Sequence, residues 1–406
     1  MVAPLTYPAL QLTLLALCQW ARSVAPRMMR KPRRARQLAA LTLAVTVAGA
    51  CGRSATDALS PQATPPRFLG ADISALARIE QAGGVYRDGG QPKDAIAILR
   101  SRGSNVFRLR LFVNPNGSDV QVNDLPYTIQ LAGRIKASGA RLLLDIHYSD
   151  TWADPSHQTT PAAWVGLGFT ALEQEVETYT DSVVTQLKQA GALPDIVQVG
   201  NEIDSGMLWP LGQLYVAGGD TLAEWTRFTG LLKAGIKGVR DALASADTVR
   251  VMLHYGQGGD AAGTEWFFDH MAAYGVPYDL IGLSYYPIWH GPLLALQGNL
   301  QATAARYGKD IVVVETSYPW RAGGWETWVT AQSAMAWTIS TVGQAQFALD
   351  LVDAVAATPG GHGAGVVWWY PEAIPVSGLF IYAGGSLALF DSTGNVLPAA
   401  TQLGAP

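Results

Sequence analysis

The 406-residue chain has two cysteines, Cys18 and Cys51. Beyond residue 51 there is no thiol, which excludes disulfides, thiolate metal sites and a cysteine nucleophile there. Charge is scarce, at 15% of residues. A chain this apolar is not a disordered one. Long apolar runs are missing too: Leu10–Leu17 and Leu38–Val47 both fall short of the roughly 20 residues that span a bilayer. Basic residues are few and oddly placed. Of 28, seven lie within residues 1–52, where there is no acid, so the remainder carries 21 basic against 32 acidic residues, a net charge of −11. Nucleic acid needs a positive face, so it is not an expected partner. No G-x-G-x-x-G follows a strand-like run, and the Gly-rich stretches 256–263 and 316–328, which read as mobile loops, lack the Lys-Ser/Thr of a phosphate loop. The histidines His147, His157, His254, His270, His290 and His362 form no H-E-x-x-H and no paired spacing, so no zinc site is expected.

What the chain does have is aromatic residues, with 13 Trp and 15 Tyr. Some fill a core. Others would serve as flat platforms, because the C–H faces of pyranose rings stack on aromatic rings.

The N-terminus reads as an address. MMRKPRRARQLAALTLAVTVAGAC, residues 28–51, has a basic segment, a short apolar segment and small residues before a cysteine. Ala48-Gly49-Ala50-Cys51 resembles a lipobox, with Cys51 as the lipidated first residue of a mature lipoprotein; an ordinary secretory signal is the alternative. Residues 1–27 read as an over-extended start ahead of Met28 or Met29, and Arg33-Arg34 allows a twin-arginine route. Residues 53–67, RSATDALSPQATPPR, lack an apolar period and read as an extended tether. The expected organisation is therefore an export signal over 1–50, a lipidated Cys51 with its tether to 67, and one catalytic domain over 68–406. Such a chain would be exported and either anchored by lipid to the cell envelope or secreted.

From Phe68 onward, β-rich apolar runs alternate with helical ones. The runs are FLGADIS (68–74), NVFRLRLFV (105–113), RLLLDIHYS (141–149), IVQVGNEI (196–203), VRVMLHY (249–255), LIGLSYYP (280–287), DIVVVETSY (310–318) and GVVWWYP (365–371). Intervening segments such as 93–103, 127–140 and 175–192 carry apolar residues at helical spacing and stop at Gly. Eight such alternations predict a single α/β domain, a (β/α)8 TIM barrel. A doubly wound open sheet is the rival. Polar or aromatic residues sit at or near most of the strand ends: Arg108 and Arg110, His147, Asn201 and Glu202, His254, Tyr285 and Tyr286, Glu315, Trp368 and Trp369. A barrel places its chemistry at those ends.

Glu202 and Glu315 each close an apolar β-run, on the fourth and seventh strands. Hydrolysis of a glycosidic bond needs a proton for the leaving oxygen and electron density at the anomeric carbon. One protonated and one ionised carboxyl supply both, and at about 5–5.5 Å separation they give the retaining, double-displacement route. Their proximity also drives the two pKa values apart. Arg108 would keep the nucleophile ionised, Asn201 would hydrogen-bond a sugar hydroxyl, and Trp209 would wall the cleft. Asp150, in the loop after the third strand, either binds sugar or caps the loop backbone.

This set resembles glycoside hydrolase family 53, the endo-β-1,4-galactanases. The resemblance rests on GADIS (70–74), RLRLFVNP (108–115), HYSDTWADPSHQ (147–158), QVGNEIDSGMLWP (198–210), GLSYYPIWHG (282–291) and VVVETSYPW (312–320), in order along the chain. It implies Glu202 as acid/base and Glu315 as nucleophile. It implies sugar contacts from Arg108, His147, Asn201, Trp209, Tyr285, Tyr286, Trp289, His290 and a strand-eight Trp, which aligns as Trp369. The implied substrate is β-1,4-galactan, the side chain of type I arabinogalactan, held by a monomer in a curved groove. The sequence departs from the family on strand eight, where Tyr370 stands in place of the Glu of a Trp-Glu-Pro. No dense Asp cluster follows, so neither a structural calcium nor a cofactor is expected. Two other readings stand beside this one: a related hydrolase cutting mannan or xylan, and a glycan-binding lipoprotein without catalysis.

Overall fold

The computed structural model describes residues 65–219, 221–323 and 335–404. The export signal, Cys51, most of the tether and residues 324–328 of the second Gly-rich stretch lie outside them. Among the described residues, eight parallel strands close into one barrel. They are β1 (Phe68–Asp72), β2 (Val106–Leu111), β3 (Arg141–Ile146), β4 (Ile196–Val199), β5 (Arg250–Tyr255), β6 (Leu280–Ser284), β7 (Asp310–Thr316) and β8 (Gly363–Trp369). Each occupies one of the eight apolar runs, and most end a few residues earlier than the runs do. The chain leaves the sheet where the backbone turns left-handed, at Tyr148, Gly200 and Tyr370 (φ 50°, 82° and 65°).

The helices follow from local signals. In α1 (Ala95–Ser101), Asp94 accepts from the Ala97 N–H; in α2 (Leu125–Ala137), Asp124 accepts from the Tyr127 N–H. The long α3 (Phe169–Gln189) buries Leu172, Val176, Thr180, Val183 and Leu187, one stripe at helical spacing. Gly103, Gly139 and Gly191 follow these three helices at φ 99°, 75° and 71°, a conformation that costs glycine no Cβ clash.

Strand alternation divides the interior into two shells. On β2, Phe107, Leu109 and Leu111 join the apolar layer between sheet and helices, while Val106 points into the barrel. The lower interior is an apolar plug that includes Phe68, Val106, Leu143, Ile196, Met252, Leu280 and Val312. Two residues further along β2 to β5, the inward positions become polar, at Arg108, Asp145, Gln198 and His254, and Asp72 joins them on β1 four residues beyond Phe68; all are fully buried. Gly70 sits between these levels on β1, where a Cβ would lie 1.7 Å from the Val106 carbonyl oxygen.

One irregularity matters for the site. Leu283 pairs with Val313, yet Ser284 pairs with Glu315, so β7 holds an extra residue there. Val312 and Val314 already face the plug. Strict alternation would send Glu315 outward; the bulge turns it inward, opposite Ser284.

Candidate active site

Arg108 organises the barrel mouth. Its guanidinium, 1% exposed, donates from Nη1 to Asp72 (2.9 Å) and Glu315 (2.7 Å) and from Nη2 to Asp145 (2.8 Å) and Asn201 Oδ1 (2.8 Å). A buried cation of this kind persists only when it is paired. The second oxygen of Glu315 accepts from the Tyr286 hydroxyl at 3.2 Å.

Glu202 has φ 43° and ψ 60°, left-handed backbone that a non-glycine residue rarely adopts. It follows Gly200, which leaves β4 at φ 82°. Its carboxyl Oε1 lies 2.5 Å from Ser284 Oγ, and Ser284 Oγ lies 2.9 Å from His254 Nε2. Ser284 thus touches Glu202 by its side chain and pairs with Glu315 by its backbone, which brings the two glutamates to one mouth.

The electrostatics separate the pair. Burial, the Glu315 charge and Asp204 push the Glu202 carboxyl well above the ordinary range. Burial raises Glu315 as well, and Arg108 draws it back. Both carboxyls are thus raised, and Glu315 alone has a guanidinium beside it that favours its charged form. Burial, with Arg108 and His147 nearby, pushes His254 well below its usual value, so its ring is neutral. Asp204 sits two residues beyond Glu202 and accepts from the Gly256 N–H at 2.7 Å; burial lifts it to about 7.

Of the other residues expected at the site, Asn201 joins Arg108 to His254 and donates to the Ala153 carbonyl at 2.8 Å. His147 lies with Nε2 2.9 Å from Asp145, and its Nδ1 accepts from the Ala153 N–H at 3.0 Å. Trp289 is half exposed, edge-on to Tyr286 at 5.2 Å between ring centroids. Trp369 sits between Trp152 (6.3 Å) and Tyr382 (5.4 Å). Trp209 donates from its indole to the Ser205 carbonyl at 3.0 Å. Three residues face their own loops. Asp150 gives both oxygens to backbone N–H groups, of Asn114 (2.9 Å) and Ala162 (2.8 Å). Tyr285 is fully buried and donates to the Gly291 carbonyl (2.9 Å), and His290 Nδ1 accepts from the Tyr286 N–H (3.1 Å).

Sequence reasoning passed over Asp72, Asp145, Gln198, Ser284 and Glu372. A signal existed for the first three: each is a lone polar residue interrupting an apolar β-run in its inward phase. Glu372 lies two residues past Tyr370; it is fully buried, and its Oε1 accepts from the Ala75 N–H at 2.7 Å. Among the described residues, no group of three or more His, Cys, Asp or Glu side chains is placed to hold a metal ion.

A (β/α)8 barrel with two glutamates at its mouth, one of them paired with a guanidinium, defines a class, the barrel glycosidases. Within it, residues 68–403 match the model of glycosyl hydrolase family 53, and the chain belongs to that family. It is 38% identical to a probable arabinogalactan endo-β-1,4-galactanase A of Aspergillus terreus, over 83% of this chain and 95% of that one. It is 34% identical to an endo-β-1,4-galactanase of Bacillus subtilis, over 76% and 70% of the two chains. The GH53 catalytic domain of Ignisphaera aggregans superposes with a TM-score of 0.78 at 32% identity, covering 85% of this chain and 97% of that one.

Proposed function

We propose that the chain is a retaining endo-β-1,4-galactanase acting on the galactan of type I arabinogalactan. The reading rests on family membership and, within the site, on one observation: Arg108 pairs with Glu315 at 2.7 Å and not with Glu202. The ionised Glu315 attacks the anomeric carbon while Glu202 gives its proton to the departing oxygen. A galactosyl ester on Glu315 results. Esterification removes the negative charge beside Glu202, which lowers the pKa of the now ionised Glu202 and suits it to act as base. Water loses a proton to Glu202, attacks the same carbon and frees Glu315. Both substitutions occur at one carbon, so the β configuration is retained.

Tyr286 fixes the orientation of Glu315, while Asn201 and His147, whose polar atoms are engaged by protein groups, hold the floor of the site in place. Trp289 and Trp369 serve as stacking platforms on the two sides of the scissile bond. The enzyme acts as a monomer and needs no cofactor. On this reading the chain is exported and is either anchored by lipid at Cys51 to the cell envelope or secreted.

Incubation with linear β-1,4-galactan, followed by chromatography, tests the function. Shortened β-galacto-oligosaccharides from galactan, with none from xylan or mannan, are expected. Glu315→Gln ends release and keeps binding. Release from xylan or mannan alone would transfer the activity to a related hydrolase, and binding without release by the wild type would leave only a glycan-binding protein. Radiolabelled palmitate on the wild type and not on Cys51→Ser tests the anchor.

A further inference from the structure

The shortest contacts of the hydrogen-bond chain running from Arg108 to Glu202 favour one direction, and that direction has a consequence for the acid. Asn201 Nδ2 donates to the Ala153 carbonyl at 2.8 Å, so Oδ1 is the atom that meets Arg108. That oxygen also lies 2.9 Å from His254 Nδ1. Oxygen has only lone pairs to offer, so this contact, the shortest that Nδ1 makes, calls for the ring hydrogen on Nδ1, against the Glu202 N–H that points at the same atom from 3.4 Å. The Gln198 amide nitrogen, 3.1 Å from the same Nδ1, has other acceptors for its two hydrogens: Asp145 at 2.6 Å and the Gly200 carbonyl at 3.0 Å. A neutral ring with hydrogen on Nδ1 has a bare Nε2. That nitrogen can only accept, so the Ser284 hydroxyl 2.9 Å away donates to it. Ser284 then presents nothing but lone pairs to Glu202, and the hydrogen in the 2.5 Å contact belongs to Glu202.

We propose that Ser284 and His254 are positioning residues that hold the proton on Glu202, with Arg108 setting the polarity of the chain through Asn201. This rests on the acid role given to Glu202 above. One arginine thus fixes both protonation states: Glu315 directly, by ion pairing, and Glu202 at a distance, through an amide, an imidazole and a hydroxyl. When Glu202 gives up its proton, two sets of lone pairs face each other across the short contact. The Ser284 hydroxyl then rotates from His254 to Glu202 and leaves Nε2 unpaired. No further proton moves, and the unpaired nitrogen makes Glu202 keener to take a proton from the attacking water. The charged and titratable groups around this chain are Glu315 on β7, Asp204 beyond β4, Asp154 in the loop after β3, Arg108, His147 and Tyr286.

The test uses the full chain and has two readouts. In Ser284→Ala the acceptor is lost, so the neutral acid is less favoured. The basic limb of kcat/KM on galactan should move to lower pH by roughly 0.5–1 unit, while Ser284→Thr keeps the limb in place. A shift to higher pH would mean that Ser284 donates to a carboxylate, and an unmoved limb would mean that it only fills space; either overturns the proposal. Independently of turnover, nitrogen NMR of the wild type with labelled histidine should show His254 protonated at Nδ1 and bare at Nε2, its signals assigned by their loss in His254→Gln. The reverse tautomer overturns the proposal. A wild type that leaves galactan intact refutes the functional reading, and the tautomer is still decided.

Discussion

At the scale of single residues, acid and nucleophile differ in what stands beside them. Glu202 faces a serine and two acids, and Glu315 faces a guanidinium. Glu202→Ala should therefore cut kcat/KM on galactan by about 10²–10⁴-fold, the usual worth of a general acid. The loss should be far smaller on an aryl galactoside whose phenolate leaves unprotonated; equal losses on both substrates would remove Glu202 from the acid role. Glu372 gives a prediction about stability. Burial, then the Asp72 charge, lifts its carboxyl from 4.5 to about 8. Between those values the folded state binds a proton that the unfolded state has released, so this group's stabilisation is complete below about pH 4.5 and is lost as pH rises through 8. Glu372→Gln, with no proton to lose, should gain on the wild type in urea melts as pH rises from 5 to 8. A constant gap between the two proteins would refute this.

At the scale of elements, all eight strands were legible as apolar β-runs and the sampled helices as amphipathic stripes ending at glycine. Both signals are period and punctuation, which sequence carries directly. The bulge on β7 was not legible. Nothing in DIVVVETSY marks which residue breaks the alternation, because the break is set by the pairing with β6. The orientation of Glu315 therefore came from strand-end position and resemblance, and its physical reason came from the register. The roles of Asp150 and Tyr285 were hidden for a similar reason: their partners Ala162 and Gly291 are backbone groups of loops, whose course no period encodes. The sheet makes its own demand at Gly70, where any side chain would meet the Val106 carbonyl. Gly70→Ala should destabilise the barrel by about 1–3 kcal/mol or more, read as a lower midpoint in urea at unchanged slope. An unchanged midpoint would mean that β1 and β2 part freely.

At the scale of the whole molecule, the net charge is negative beyond residue 52, while the charges that matter for chemistry are paired in the barrel mouth. A neutral polymer gains nothing from that net charge. Turnover of galactan should be nearly constant between 0.01 and 0.5 M salt, because Arg108 and its partners lie beyond the reach of screening ions. A steep salt dependence would show that long-range charge steers the substrate. The apolar plug has a last consequence. Phe68, Leu143, Met252 and their neighbours stopper the barrel from below, so the water that finishes the reaction enters by the mouth, through the space the departing sugar has just vacated. Any alcohol waiting there competes with it. On the proposed mechanism, a concentrated broth of short galactosides would be stitched into longer ones by the same two glutamates.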